Sequence, residues 1–438
     1  MYREAAHIIA PPLTHIINVS IQRQQFPAKW KTSLITPIPK SQPVSKDELR
    51  PISLLPIFSK ICEKVILNSG MATELQKTFG PNQFGAMHNS STTTALICIH
   101  DTITRLLEDP FIKGIFVIAY DFSKAFDQLG HDIIIRELSN SNFPISFVKW
   151  LNAYLSHRSQ MVKINNTYSD QLLIKSGIPQ GSVFGPFLFN SVVGSLRPKH
   201  DVCTIVKYVD DCTYIIPVYE SARKLHFDEH LQMVQWSSHI GLRLNLRKSK
   251  QLWIPKTSTF VPEYVPDIFM ASELRILGVY ITPDLKWTRH VEYICGIAAR
   301  RLYALRILKP HLGVKKLTSV FFALIVSLVE YCSPLLVGSL NQNDEVILKL
   351  LRRAHRIISG NHAPTGFLGL PNIKERRERA AIKLFNSISN NPSHLLHHLC
   401  PLKSLRTGRY IQPQTVSVRR RNSFFPRTVI LINKIFTE

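Results

Sequence analysis

The run GIFVIAY, residues 114–120, constrains this chain more than any other feature. It is continuously apolar or small and rich in β-branched and aromatic residues, which suits a strand buried on both faces. Such a strand needs packing on two sides, so it belongs at the centre of an α/β lobe. Asp121 closes the run at its carboxyl end, at the rim of what would be a rigid platform.

Other patterns build the lobe around it. Phe147, Trp150, Leu151, Tyr154 and Leu155 recur at helical spacing. Two strands are expected around Asn165 and Asn166, followed by the glycine-bearing loop SGIPQGS. From Thr204 to Ile216 two apolar runs flank Val209, Asp210 and Asp211, which reads as a tight hairpin with its carboxylates at the turn. A helix should follow, with Phe227, Leu231 and Val234 on its inner face and Gly241 as its stop.

The flanks differ in character. Residues 1–110 are punctuated by prolines, as in TPIPK ending at Lys40 and LRPISLLP starting at Leu49, and read as an irregular, mostly non-sheet lobe. Beyond the α/β part, Val291, Ile294, Cys295, Ala298, Leu302 and Leu305 form one helical stripe. Ile347, Leu350, Leu351, Ala354 and Ile358 form another. The segment from Pro401 to Thr437 lacks Asp and Glu but carries Arg406, Arg409, Arg419, Arg420, Arg421 and Arg427.

A chain of 438 residues exceeds one compact core, so two or three lobes are expected. Its 54 Lys and Arg against 30 Asp and Glu give a formal charge of +24, which favours a polyanionic partner, nucleic acid or an anionic membrane. The most membrane-like segment, Leu317 to Val337, is interrupted by Glu330 and Pro334. Spanning needs about 20 uninterrupted apolar residues, so a buried helix is the better reading. The seven cysteines are scattered without metal-ligand spacing, which argues against structural zinc and disulfides and for a reducing, intracellular compartment. Pro11 and Pro12 break the apolar stretch from Ile8 that a secretion signal would need.

Nucleotidyl transfer from a triphosphate uses two divalent ions about 3.5 to 4 Å apart. Magnesium demands oxygen ligands. A carboxylate at one strand end beside two on a neighbouring hairpin turn would supply them, and a ferredoxin-like arrangement can bring such ends together. Taken singly, Asp210 and Asp211 read first as turn chemistry, and Asp121 reads also as a helix cap.

Seven blocks in order tip that balance. FPAKWKTSLITPIPK, LRPISLLPIFSKICEKVI, QFGAMHNSSTTTAL, AYDFSKAFD, SGIPQGSVFGPFLFN, KYVDD and LNLRKSK, followed by LGVYITPDLKW, resemble the reverse transcriptases of non-LTR retrotransposons of the jockey-like, LINE type. RRRNSFFPRTVILIN is similar to the closing segment of such polyproteins. The resemblance implies a right-hand polymerase: fingers over 1–110, a ferredoxin-like palm over 111–290 with part of the fingers interleaved, a helical thumb over 291–360 and a basic extension over 361–438. It implies an RNA-directed DNA polymerase that uses two Mg2+ ions, with Mn2+ as a substitute, an RNA template, a DNA primer or target, and dNTPs.

Roles follow residue by residue from the same resemblance. Asp121 and Asp210 would be the principal metal ligands, with Asp211 in support, and Asp127 would help to shape the next turn. Phe126 would stand against the sugar of the incoming nucleotide; its competing role is core packing. Gln180 and Gly181 fall where the family contacts template and nucleotide, and Phe184 stands where these elements usually carry leucine. Arg50 and Lys40 match positions that clamp the triphosphate, Arg50 more firmly, since loop length varies near Lys40 and an ordinary surface cation is its competing reading. Lys248 matches a general acid toward pyrophosphate, with a plain phosphate contact as its rival. Leu277, Gly278 and Val279 resemble the hairpin that grips the primer. The thumb stripes would place Arg300 and Arg301 toward the duplex. Autonomous relatives carry an endonuclease before the polymerase, so that activity is expected to come from elsewhere, and nuclear residence follows by analogy. The alternative is a decayed remnant that binds nucleic acid without polymerising.

Overall fold

The computed structural model describes residues 4–39, 49–220, 224–257, 260, 262–360 and 372–435. Twelve strands fall among them: β1 (Thr32–Pro39), β2 (Leu49–Leu54), β3 (Ile112–Tyr120), β4 (Arg158–Ile164), β5 (Thr167–Tyr168), β6 (Leu172–Ile174), β7 (Thr204–Tyr208), β8 (Asp211–Tyr219), β9 (Lys250–Pro255), β10 (Phe269–Met270), β11 (Leu274–Ile276) and β12 (Val279–Ile281).

The central sheet runs β10-β9-β3-β8-β7, with β3 antiparallel to both β8 and β9. Helices separate β3 from β7 and β8 from β9, while β7 and β8 form a hairpin. This is the split βαβ order of a ferredoxin-like fold, as expected. Side chains on β3 alternate between two cores. Phe116, Ile118 and Tyr120 face one, which also holds the helices Ile145–Leu155 and Gly185–Val193. Ile112, Ile115 and Val117 face the other, built with the helix Thr92–Leu106 and the C-terminal Phe424, Phe425 and Val429. Burial on both faces is why the run is apolar without alternation.

Residues 1–110 depart from the irregular lobe expected. β1 and β2 pair antiparallel, with Pro37 opposite Pro51, and β1 also pairs parallel with the distant β4. Helices occupy Ala6–Gln22, Ile57–Ile66, Ala72–Thr78 and Thr92–Leu106. Ser91 and Thr94 close a reciprocal capping box on the last of these. That helix is buried continuously from Thr94 to Thr104, so no polar face advertised it.

The helix Leu225–His239 is present, and Gly241 follows it with φ +68°. Its inner face is another one: Leu225, His226, Glu229, Met233 and Ser237 are buried, whereas Leu231 and Val234 are exposed. Glu229 turns inward because its carboxylate accepts the amides of Lys199 and His200 at 3.0 and 2.8 Å.

The two stripes of the last third are helices Thr288–Leu308 and Asn341–Ser359, and every residue named in them is buried in a third core. Leu317, Phe321, Ile325, Val326 and Val329 fill the same core. No helix among the described residues is long and apolar enough to cross a membrane. The seven cysteines are free thiols.

The C-terminal segment folds back onto the central lobe. Arg420 pairs with the buried Asp101, Arg419 donates to the Pro255 carbonyl at 3.1 Å, and Glu108 accepts the amides of Val416 and Ser417. Two of its three consecutive arginines are thereby held against the lobe.

Candidate active site

β3 and β8 set the geometry. Their last paired positions are Tyr120 and Cys212, so one step further places Asp121 across from Asp211. Asp211 also closes the β7–β8 turn against Tyr208, leaving Val209 and Asp210 as the two residues of the turn. The three aspartates gather at one edge of the sheet. Asp210 and Asp211 are exposed, and Asp121 is half-buried. Asp121 is not a helix cap, since the next helix starts at Ala125 behind Lys124.

Electrostatics report the same proximity. The Asp211 carboxyl is pushed up to about 6, first by partial desolvation where the exposed side chain meets the protein, then by Asp210 and Asp121. Neighbouring like charges that raise a carboxyl's pKa mark a place where a cation is stabilised. Among the described residues no group of three or more His, Cys, Asp or Glu is arranged as a finished metal site. The donor chemistry nevertheless fits a hard cation, because all three groups offer carboxylate oxygens.

The LNLRKSK segment is clipped to the end of β3. Ser249 Oγ accepts the Asp121 N–H at 3.1 Å, and the Asn245 N–H donates to the Asp121 carbonyl at 2.7 Å. Lys248, exposed, therefore sits in the turn bound to the Asp121 backbone.

The SGIPQGS loop is braced from two sides. The Ser53 N–H of β2 donates to the Gln180 carbonyl at 2.8 Å, and Gln180 Nε2 donates to Asp127 Oδ1 at 3.0 Å. Gly181 takes φ +120°, a backbone open to glycine alone without strain. A cavity of about 470 Å³ lies between this loop and the β1–β4 sheet, lined among others by Ser53, Lys124, Asp127 and Gln180. Arg50 is exposed on β2, three residues from Ser53. Lys40 lies outside the described residues. Phe126 is half-buried and stacks on Phe189 with ring centroids 4.8 Å apart.

Leu277 and Gly278 join β11 to β12, and both have positive φ, the signature of a type I′ hairpin turn. This hairpin is a separate two-stranded sheet whose Leu274, Ile276, Val279 and Ile281 pack into the second core. Arg301 donates to the Leu324 carbonyl at 2.6 Å and so spends part of its guanidinium inside the helical lobe, while Arg300 is exposed.

Sequence reasoning passed over Glu63. It is fully buried, and its Oε2 accepts the amides of Val183 and Phe184 at 2.6 and 3.1 Å, at the start of the helix Gly185–Val193. The only signal was its place in the block LRPISLLPIFSKICEKVI.

A ferredoxin-like sheet presenting three aspartates at one edge, with a braced glycine loop and helical lobes around it, defines a right-hand polymerase. The chain belongs to the reverse transcriptase family: the family profile described as "Reverse transcriptase (RNA-dependent DNA polymerase)" matches residues 38–281. The chain is similar to the "Probable RNA-directed DNA polymerase from transposon BS" of Drosophila melanogaster, 26% identical over 90% of this chain and 46% of that protein. It is 28% identical to the "RNA-directed DNA polymerase from mobile element jockey" of the same species, over 64% of this chain and 32% of that one. It thus spans about half or less of the length of these curated relatives. Among solved structures, the apo telomerase of Candida tropicalis aligns over 82% of this chain and 61% of its own, with 13% identity and a TM-score of 0.44.

Proposed function

We propose that this chain carries the RNA-directed DNA polymerase activity of a non-LTR retrotransposon. The observation that carries the proposal is the meeting of Asp121 with Asp210 and Asp211 at the β3–β8 edge, within a chain of this family. In this reading residues 1–110 are fingers, 111–290 palm, 291–360 thumb and 361–438 a C-terminal extension.

Asp121 and Asp210, supported by Asp211, would hold two Mg2+ ions. When bound, these activate the attacking hydroxyl and steady the departing phosphates. The primer 3′-hydroxyl would release its proton to solvent as its oxygen bonds to the α-phosphorus of a dNTP and the bond to pyrophosphate breaks. Lys248, beside the Asp121 backbone, would give the leaving pyrophosphate a proton, and Arg50 would neutralise its charge. Gln180 and Gly181 line the approach of template and nucleotide. Phe126, fixed by Phe189, would crowd a 2′-hydroxyl and so select deoxynucleotides. The Leu277–Gly278–Val279 hairpin would support the primer end.

Primer extension on an RNA template, with ribonucleotides and deoxynucleotides compared, tests this reading. Parental protein should incorporate dNTPs in Mg2+, and Asp210→Asn should abolish extension while template binding persists. Extension by the variant at the parental rate would remove the aspartates from the mechanism. Preference for ribonucleotides would overturn the role given to Phe126.

A further inference from the structure

The block QFGAMHNSSTTTAL has no role in the reading above, yet its first residues touch the turn that carries Asp210. Val209 occupies the first of the two turn positions and has φ +58°. A positive φ at that place is what a type II′ turn reserves for glycine, and a β-branched residue there is strained. Strain of this kind costs on the order of 1–3 kcal/mol and persists only where surrounding contacts over-determine it.

Those contacts come from Gln83 and Gly85. Gln83 is fully buried, and its Oε1 accepts the Val209 N–H at 3.0 Å and the Gly85 N–H at 2.9 Å. A Cβ at Gly85 would meet Val209 Cγ2 at 2.5 Å and Val209 N at 2.7 Å, so only glycine lets the segment lie this close. The segment is itself fixed. Asn190 Nδ2 donates to the Gly85 carbonyl at 2.6 Å, and the Phe84 and Lys207 backbones exchange partners across Gln83, with the Lys207 N–H on the Asn82 carbonyl at 2.8 Å and the Phe84 N–H on the Lys207 carbonyl at 2.9 Å.

We infer that Gln83 is a positioning residue for nucleotidyl transfer: with Gly85 it clasps the Val209 amide, holds the β7–β8 turn in its strained form and thereby sets where Asp210 points. The inference rests on the proposed polymerase function. Gln83 touches neither substrate nor ion in this account, and its effect passes through one backbone N–H. Relaxation of the turn would displace Asp210 while leaving the template and primer surfaces in place. Loss should therefore fall on kcat rather than on KM for primer–template.

The experiment is a double-mutant cycle of Gln83→Met and Val209→Gly in primer extension, with melting temperature and primer–template affinity measured for each protein. Methionine keeps the volume and removes the acceptor; glycine tolerates the positive φ without support. Gln83→Met should lower kcat on the order of 10- to 100-fold, as a misplaced catalytic group does, with KM changed less than about twofold. In the Val209→Gly background the same substitution should cost markedly less. It should also raise the Mg2+ concentration needed for half-maximal rate in the Val209 background alone. Parental kcat in Gln83→Met, or an equal loss in both backgrounds, overturns the clasp. A parental protein that binds primer–template but extends nothing would instead refute the polymerase reading. If Gln83→Met fails to fold, Gly85→Ala supplies the second perturbation of the same contact, and it must show the same dependence on residue 209.

Discussion

The Tyr331 hydroxyl donates a 2.7 Å hydrogen bond to the Leu277 carbonyl, tying the β11–β12 turn to a residue of the helical lobe. The ring lies alongside as well, for a Cβ at Gly278 would meet Tyr331 Cε1 at 3.4 Å. If the hairpin supports the primer end, the lobe that follows it sets the height of that support. Tyr331→Phe removes only the hydroxyl. One such bond contributes about 0.5–1.5 kcal/mol, so KM for primer–template should rise roughly 2- to 12-fold while kcat and melting temperature change little. Steady-state extension at varied primer concentration measures this, and an unchanged KM would separate the hairpin from primer binding.

Glu63 gives a stability test. Its carboxylate serves the amides of Val183 and Phe184 and accepts from Ser59 Oγ at 3.1 Å, entirely inside the protein. Glu63→Leu strands buried donors, and each unsatisfied group costs about 1–3 kcal/mol. A loss on the order of 2–4 kcal/mol is expected in urea unfolding. Glu63→Gln, which keeps one acceptor, should lose less than half of that. Equal stability of the leucine variant would mean that the helix start does not depend on this carboxylate.

The contrast between Glu63 and Asp121 shows what could be read from sequence. β3 is buried on both faces, so its apolar run and its closing aspartate were legible, as was the hairpin bearing Asp210 and Asp211. The stripes from Val291 and from Ile347 were legible because each has one buried face. β1 and β2 were not, since Pro37 and Pro51 sit opposite each other in a pairing that prolines disfavour. β4 joins that sheet from more than a hundred residues away, a contact with no local trace. Polar residues buried by backbone hydrogen bonds, Glu63, Gln83 and Glu229, carried no hydrophobic signal. On the helix Leu225–His239 that effect shifted the inner face away from Leu231 and Val234.

Acid should destabilise the fold through His100. It is buried against Trp287 with ring centroids 4.9 Å apart, its Nδ1 has no hydrogen-bond partner, and burial, then Arg420, lowers its pKa from 6.5 to about 3. Between those values the unfolded chain binds the proton and the folded chain does not, so stability rises with pH across that window. The full contribution is present above about 6.5 and is lost progressively toward 3. At pH 4 the cost is on the order of 3 kcal/mol. His290, lowered to about 4 by burial and then Arg275, acts in the same direction. His100→Phe keeps an aromatic ring against Trp287 and removes the titration. Its stability should therefore fall less steeply than the parental one between pH 6.5 and 4 in urea titrations, and parallel curves would exclude His100 as the cause.

The helical lobe offers a charge site that the stripes alone did not single out. Arg306, Arg353 and Arg356 line one cavity of about 300 Å³ near the C-terminal ends of the helices Thr288–Leu308 and Asn341–Ser359. All three are exposed, and among the described residues no carboxylate pairs with them. Cations at helix ends can merely offset the helix dipole, which would affect stability by about 0.3–1 kcal/mol each and nothing more. Contact with a nucleic-acid backbone would instead release counterions, and the slope of log affinity against log salt would fall by about 0.7–0.9 for each phosphate lost. In duplex binding across a salt series, the triple substitution to alanine should therefore flatten the slope by roughly 2. Because the helix Thr288–Leu308 is 21 residues long, the cavity lies about 30 Å from Trp287. Short duplexes should accordingly bind the variant as well as the parent, and only longer ones should reveal the loss. A slope unchanged at every duplex length would return the three arginines to the role of helix-end cations.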